Sequence, residues 1–174
     1  MNSLIRTALV TGGARRIGRA LALDLAAQGW AVGVHYHGSS AEAQSVVAEI
    51  ARQGGQAVAL AADLSAPEAP EALLAKTRAA LGPLGLLVNN AALFERDEAP
   101  NVTRELWDRQ MAVNLWAPFA LMQGFARQLS PNGEGVIVNL LDQRVWNLTP
   151  HFVSYTVSKA ALWTLTQTMA LALA

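Results

Sequence analysis

The chain alternates between short apolar runs and longer segments in which apolar residues recur at helical spacing. The apolar runs predict strands at 7–10, 31–36, 57–61, 86–89 and 136–140. The helical segments predict helices at 17–28, 41–53, 68–81, 104–129 and from 152 to 174. Glycines after the first three helices, and the turn-prone stretch from Ser130 to Gly133 after the fourth, predict where these helices end.

Strands that alternate with helices in this way are typical of an α/β fold, in which crossover helices cover both faces of a parallel sheet. The sequence therefore predicts a doubly wound parallel sheet of the Rossmann type. With no internal repeat and no low-complexity linker, we expect residues 1–174 to form a single domain. The last helical pattern reaches Ala174 without a cap or a further strand, so we expect a chain truncated after that helix.

Composition excludes several classes of function. Thirteen basic and thirteen acidic residues cancel, and no stretch is basic enough to predict nucleic-acid binding. The absence of cysteine excludes disulfides and thiolate metal sites, and the three histidines lack a metal-ligand spacing. No apolar run is long enough for a signal peptide or a membrane span, so we expect a cytoplasmic protein without metal or membrane partners.

The segment TGGARRIG follows the first predicted strand and leads into the first helix. Glycines in such a turn let the backbone approach a phosphate, and the helix N-terminus presents free N–H groups. Strand, turn and helix therefore stand in the order that binds a dinucleotide, although a glycine-rich turn without a ligand is the alternative. The candidate cofactor residues of this turn are Gly12, Arg15, Arg16, Ile17 and Gly18.

The end of the second strand is where a dinucleotide-binding fold discriminates between the two forms of the adenosine ribose. An acid there favours a free 2′-hydroxyl, but no acid appears before Glu42. His37, Ser39 and Ser40 offer hydrogen bonds instead, and the two arginines of the first turn offer positive charge. The sequence therefore predicts NADP(H), with solvated surface arginines as the alternative.

Further candidate cofactor residues follow the third and fourth strands, because ligands of open α/β sheets bind at the carboxyl edge. Asp63 is a candidate partner for the adenine, with Leu64 beside it, and it is equally suited to cap a short turn. Asn90 and Ala91 follow the fourth strand and are expected to pass close to the cofactor.

Tyr155 and Lys159 lie four residues apart in SYTVSKAAL, a spacing that places both side chains on one face of a helix. A free tyrosine has a pKa of about 10, and a nearby ammonium group favours its ionised form. We therefore expect Lys159 to lower the pKa of Tyr155. A tyrosine beside a surface lysine without any catalytic role is the alternative for this spacing taken alone.

TGGARRIG, NNA, the Asn114 of MAVNL and YTVSK occur in this order, and together they resemble the short-chain dehydrogenase/reductase family over essentially the whole chain. The resemblance implies that Tyr155 is the general acid and that Lys159 lowers its pKa and holds the nicotinamide ribose. It also implies that Asn114 anchors a water in a proton relay. Most of this family has a serine thirteen residues before the tyrosine, where this sequence has Asp142.

Asp142, Arg16 in place of the usual second glycine, and the segment HYHGSSAEA are similar to the pteridine reductase branch of this family. That resemblance implies that Phe94 stacks on a pterin ring and that Asp142 contacts the substrate or relays a proton. An ordinary loop residue and a structural hydrogen-bond acceptor are the respective alternatives. Ala92 and Gly38 depart from the branch, which prefers a serine and a basic residue at these positions.

The sequence therefore predicts an NADPH-dependent reductase of a dihydropterin or a similar planar C=N substrate, with Tyr155 as the proton donor. A carbonyl or 3-oxoacyl reductase is the alternative among enzymes. A catalytically silent nucleotide-binding or assembly partner is the alternative from another class, because this fold does not require turnover. The resemblance also implies a homo-oligomer, a dimer or a tetramer, formed through the helices at 104–129 and 152–174.

Overall fold

Five parallel strands form one sheet in the computed structural model, which describes residues 5–130 and 133–174. The strands are β1 (Thr7–Val10), β2 (Ala31–Tyr36), β3 (Ala57–Ala61), β4 (Leu86–Asn89) and β5 (Val136–Asn139). Their order across the sheet is β3-β2-β1-β4-β5, and every neighbouring pair runs parallel. The predicted α/β fold of the Rossmann type is therefore confirmed.

Within the part of the chain that the structure describes, six α-helices connect or follow these strands. They are α1 (Arg16–Ala27), α2 (Ser40–Arg52), α3 (Ala69–Leu81), α4 (Arg104–Met111), α5 (Ala117–Gln128) and α6 (Val153–Ala172). Most of the predicted boundaries lie within one or two residues of these. Of the predicted turn from Ser130 to Gly133, Pro131 and Asn132 lie outside the described residues, as do residues 1–4 of the N-terminal segment. Within the described ranges, none of the helices combines the length and the apolarity that crossing a bilayer requires.

The helices pack on both faces of the sheet and enclose two separate apolar cores. Side chains of α1 and α2, such as Ala22 and Ile50, bury one face of β1 and β2 together with Val10 and Val34. Side chains of α3 and α5 bury the opposite face around Leu87. Successive strand residues point to opposite faces, which is why a continuous apolar run supplies both cores.

The prediction of one continuous helix at 104–129 is wrong in one respect, because a π-helical segment at Ala112–Trp116 separates α4 from α5. Pro118 lies in the first turn of α5 and has no N–H to donate to the preceding turn. A widened turn before the proline accommodates this missing hydrogen bond. The π-helical segment contains Asn114, whose side chain is fully buried.

Helices cover both faces of the sheet, as predicted, but within the described residues one face of β5 is only partly covered. Val136 and Val138 are 45% and 41% exposed, although they stand in register with the buried Leu86 and Val88 of β4. Helices α1 and α2 pack over the other end of the sheet, so within the described residues they do not reach the face that carries these two valines.

Candidate active site

In the glycine-rich turn after β1, the backbone at Gly18 lies close to the backbone at Gly12, at the carboxyl edge of the sheet. Gly12 has a φ of 63°, a conformation that favours glycine. A Cβ on Gly18 would lie 2.1 Å from the carbonyl oxygen of Gly12, so no side chain fits there. Helix α1 begins at Arg16, and no side chain of the described residues caps its first turn. The turn therefore presents free N–H groups to an anion.

The loop after β4 braces this turn. The hydroxyl oxygen of Thr11 accepts hydrogen bonds from the N–H groups of Asn90 (2.9 Å) and Ala91 (3.0 Å). The side-chain amide of Asn90 donates to the carbonyl oxygens of Thr11 (2.7 Å) and Gly12 (3.1 Å). The structure thus brings two predicted cofactor residues, Asn90 and Ala91, against the turn that contains Gly12.

His35 is a buried residue of this site that sequence reasoning missed. Its Nδ1 accepts the N–H of Gly12 at 3.0 Å, and its Nε2 lies 3.1 Å from the carbonyl oxygen of Ala62. Burial lowers the pKa of His35 to about 4, although the hydrogen bond to Ala62 opposes this shift. The ring is therefore neutral at physiological pH, with its proton on Nε2. Its position at the carboxyl end of β2, beside the glycine-rich turn, was the available signal.

A cavity of about 290 Å³ opens beside His35, and several of the predicted cofactor residues line it. Its lining consists of Gly12, His35, His37, Asp63, Leu64, Ser65, Ala91, Ala92, Leu93, Arg109 and Val113. Asp63 accepts hydrogen bonds from both the N–H (2.9 Å) and the hydroxyl (2.7 Å) of Ser65, and these bonds lower the pKa of Asp63. The capping alternative for Asp63 is therefore observed, while its second carboxylate oxygen lies 3.9 Å from His37.

The charged and hydroxyl side chains predicted to surround the 2′-phosphate lie on separate segments, near the beginnings of α1 and α2. Arg15 pairs with Glu42, with its Nε 2.8 Å from the carboxylate, so an acid does lie next to this arginine. The role of Arg15 at the 2′-phosphate stays a prediction. Arg16 is exposed, Ser39 precedes α2, and the hydroxyl of Ser40 lies 3.4 Å from that of Tyr36. Ile17 is 64% exposed on the first turn of α1.

Tyr155 and Lys159 lie on one face of α6, as their spacing predicts, and both are buried. The hydroxyl of Tyr155 donates to the Oδ2 of Asp142 at 3.2 Å. The ammonium group of Lys159 donates to the carbonyl oxygen of Leu140 at 2.8 Å and lies 5.9 Å from the centre of the Tyr155 ring. The end of β5 and the start of α6 thus bring a carboxylate, a phenol and an ammonium group together.

The expectation that Lys159 lowers the pKa of Tyr155 is wrong in this structure. Burial and the adjacent Asp142 carboxylate raise the pKa of Tyr155 to about 12. Burial also lowers the pKa of Lys159 to about 8, against the attraction of Asp142. Burial of the phenol is the largest cause of this shift. Proximity adds to it, because the phenol contacts the carboxylate directly whereas the ammonium group is hydrogen-bonded to a backbone carbonyl. Tyr155 therefore holds its proton at neutral pH.

Asn114 joins three parts of the molecule through its buried side chain. Its amide oxygen accepts the N–H of Leu93 (2.8 Å), and its amide nitrogen donates to the carbonyl oxygen of Leu93 (2.9 Å). The same nitrogen contacts Gln110 (3.0 Å) and Ser158 (3.1 Å). This side chain therefore ties the loop after β4 to α6, and the water relay expected at Asn114 stays a prediction.

Aromatic rings lie beside the phenol of Tyr155. The ring of Phe94 is 51% exposed, stacks on Phe152 with centres 4.4 Å apart, and meets the Tyr155 ring edge-on at 4.6 Å. Trp146 is 64% exposed and contacts Trp163. Phe94 therefore adjoins the phenol of Tyr155, and its stacking on a pterin stays a prediction.

Asp97 is a second residue that sequence reasoning missed. It is buried, and its carboxylate accepts the N–H of Ser154 at 3.3 and 3.2 Å and also the Ser154 hydroxyl. Its carbonyl oxygen accepts the N–H of Phe152 at 2.7 Å. Asp97 thus anchors the beginning of α6, although nothing in the local pattern around it distinguished this acid from a surface residue.

Comparison with known proteins identifies the family. Residues 6–174 match the family model described as short chain dehydrogenase. The chain belongs to the short-chain dehydrogenase/reductase family. It is 35% identical over 168 residues to the short-chain dehydrogenase/reductase FrzI of Cladobotryum sp. It is 32% identical over 171 residues to the 3-oxoacyl-[acyl-carrier-protein] reductase FabG of Staphylococcus aureus.

Among solved structures, the chain is similar to FolM alternative dihydrofolate reductase 1 from Brucella canis, complexed with NADP. The two share 42% sequence identity with a TM-score of 0.93, over 98% of this chain and 68% of that one. The match to FrzI covers 96% of this chain and 64% of FrzI, and the match to FabG covers 98% and 70%. The chain thus spans about two thirds of the length of these relatives.

Proposed function

We propose that this protein is an NADPH-dependent reductase of a dihydropterin or a similar planar C=N substrate. The observation that carries the proposal is the hydrogen bond of 3.2 Å between the hydroxyl of Tyr155 and Asp142, beside the exposed ring of Phe94. The similarity to the Brucella FolM protein, at 42% identity, supports the same function.

The glycine-rich turn fits the pyrophosphate of a nicotinamide dinucleotide. Gly12 and Gly18 let the turn pack closely against itself and against the loop after β4, and the uncapped first turn of α1 offers N–H donors and a positive dipole end to a phosphate. His35 holds the N–H of Gly12, and the adjoining cavity has His37 and Asp63 on its wall. When bound, the cofactor supplies the hydride for the reaction.

The charges around Tyr155 favour a nitrogen substrate over a ketone. Burial tends to raise the pKa of Asp142, but hydrogen bonds and charge from Arg144 and the bond from Tyr155 hold it below its ordinary value. Asp142 is therefore a carboxylate at neutral pH. A negative charge stabilises the positive charge of a protonated C=N group and repels the alkoxide that develops in ketone reduction.

Tyr155 is the group that delivers the proton in this proposal. The phenol carries its proton at neutral pH, and the raised pKa of about 12 makes it a weaker acid than a free tyrosine, so the proton passes only as the substrate nitrogen gains electron density from the hydride. One proton passes from the Tyr155 hydroxyl to the nitrogen of the substrate C=N group, and the carbon of that group would receive the hydride. Phe94 would stack on the planar substrate, Lys159 would hold the nicotinamide ribose, and Asn114 would anchor a water in the proton relay.

The replacement Asp142→Ser tests the role of the carboxylate. We expect at least a tenfold loss in dihydropterin turnover, about 1.4 kcal/mol of barrier, with nearly unchanged NADPH affinity. Turnover is measured with dihydrobiopterin, dihydromonapterin, dihydrofolate and simple ketones. Asp108→Ser is the matched control, because Asp108 pairs only with Arg104 on the exposed face of α4. Unchanged pterin turnover in Asp142→Ser would leave Asp142 as a structural acceptor and remove the main support for this proposal.

The preference for NADPH over NADH is tested separately, by titrating both cofactors against tryptophan fluorescence. We expect tighter binding of NADPH, because His37, Ser39 and Ser40 offer donors near the end of β2 and Arg16 offers charge. Arg15 contributes less, because Glu42 already neutralises it. Equal or tighter binding of NADH would contradict the proposed cofactor.

A carbonyl or 3-oxoacyl reductase is the second candidate, and the similarity to FabG at 32% identity favours it. The ketone arm of the turnover assay distinguishes it, because a carbonyl reductase would accept ketones and show little loss in Asp142→Ser. A chain that binds NADPH but reduces none of these substrates would instead support a silent nucleotide-binding or assembly partner.

A further inference from the structure

Arg144 follows Asp142 on the short turn Gln143–Val145 and contacts one side of its carboxylate. Its backbone N–H donates to Oδ1 at 2.9 Å, and its guanidinium lies 3.3 Å from Oδ1 and 3.5 Å from Oδ2. Oδ2 also accepts the hydroxyl of Tyr155 at 3.2 Å. Arg144 therefore contacts both oxygens of Asp142, and its backbone N–H fixes Oδ1 while Oδ2 is turned toward the phenol.

The guanidinium of Arg144 is enclosed by aromatic rings rather than by water. Its side chain is only 20% exposed, and its central carbon lies 5.3 Å from the centre of the Phe94 ring and 4.9 Å from that of Phe152. Its Nε is buried and has no hydrogen-bond partner among the described residues. Cation–π contact and the single carboxylate therefore hold this charge in place.

We propose that Arg144 is a positioning residue that keeps Asp142 ionised and oriented toward Tyr155. For its effect on catalysis the inference rests on the proposed function, but the effect on Asp142 itself does not. Arg144, Tyr155 and Lys159 are the charged or titratable groups that face this carboxylate, the last two from α6. Arg144 carries the positive charge that contacts it directly, because the ammonium group of Lys159 donates to Leu140.

The chain contains only two tyrosines, Tyr36 and Tyr155, which allows a direct measurement. In a Tyr36→Phe background, a carbon-13 label on the tyrosine ring carbon bonded to oxygen gives an NMR signal from Tyr155 alone. Protonation of Asp142 changes the hydrogen bond of this phenol, so the NMR signal shifts in one step as the pH passes the pKa of Asp142. We expect Arg144→Met to raise the midpoint of this step by about one pH unit, because an adjacent opposite charge is lost.

Three variants control this measurement. Arg144→Lys retains a positive charge, so the step should stay close to that of the parent. Arg104→Met removes an exposed arginine that pairs with another aspartate, Asp108, and should have no effect. Asp142→Asn should abolish the step. An unmoved step in Arg144→Met, or a step that persists in Asp142→Asn, would overturn the inference.

Turnover separates this inference from the proposed function. If the parent reduces dihydropterins, the acidic limb of its plot of kcat against pH should move to higher pH in Arg144→Met, by the same number of pH units as the NMR step. If the parent reduces no pterin but the NMR step moves, the proposed function fails and the positioning role of Arg144 stands. If pterins are reduced but neither the NMR step nor the acidic limb moves, the proposed function stands and the positioning role of Arg144 fails.

Discussion

At the scale of single residues, His35 makes stability depend on pH. Its pKa in the folded protein is about 4, below the ordinary value of 6.5, so the unfolded chain binds a proton that the folded protein excludes. The contribution of the neutral ring is therefore complete above pH 6.5 and is lost as the pH falls toward 4. The loss amounts to at most roughly 3 kcal/mol of unfolding free energy.

Urea unfolding between pH 4 and 7 tests this, because His35→Asn should remove that part of the pH dependence. His37→Asn is the matched control, since His37 lies two residues further on and is largely exposed. If His35→Asn loses stability with falling pH as steeply as the parent does, the buried ring is not the origin of the effect.

At the scale of elements, the beginning of α6 depends on a side chain from a distant loop. Phe152, the residue before the helix, has a φ of 61°, which is unfavourable for a residue with a side chain. Asp97 binds Phe152 with its backbone and the first turn of α6 with its carboxylate. Because this turn leads directly to Tyr155, the contact positions the phenol that we propose as the proton donor.

We expect Asp97→Ala to lower the free energy of unfolding by about 2 kcal/mol, the combined effect of losing a helix cap and leaving a buried hydroxyl without its partner. Asp97→Asn keeps one acceptor oxygen and should lose less. Chemical denaturation measures both, and Asp108→Ala, which breaks only an exposed pair on α4, should change stability by less than about 0.5 kcal/mol. Equal losses in Asp97→Ala and Asp108→Ala would show that the carboxylate does not anchor α6.

At the scale of the whole molecule, apolar side chains remain exposed on the helices expected to form a subunit interface. Trp116 is 50% exposed before α5, and on α6 Val157 is 42% and Leu171 85% exposed. A closed two-fold contact through these helices would bury the same residues on each subunit. We therefore expect a dimer or a tetramer.

Sedimentation velocity at micromolar concentration tests this assembly. Val157→Glu should shift the distribution toward monomer, because a charge at a close helix contact is costly to bury. Ile17→Glu is the control, since Ile17 is also apolar and, at 64%, more exposed, but lies on α1. A parent chain that sediments only as monomer would contradict the expected interface.

The sequence predicted the strands to within a residue and the helices with one error. Strands β1 to β4 have the predicted bounds because their apolar runs are flanked by turn residues, which is short-range information. The interruption at Ala112–Trp116 was missed because the apolar pattern continues through it. Pro118 was the available signal, since a proline in a helical pattern requires a break or a widened turn.

The sequence by itself determined the parallel α/β fold, the glycine-rich turn and the common face of Tyr155 and Lys159, because helical period and turn chemistry act over a few residues. Only the tertiary structure decided the electrostatics of the site. The phenol of Tyr155 contacts Asp142 instead of Lys159, and Asp97 contacts Ser154 across 57 residues of sequence. These contacts depend on which strand ends and loops pack against α6. The direction of the Tyr155 pKa shift depends on the nearest charge and on burial, and both are properties of the packed molecule.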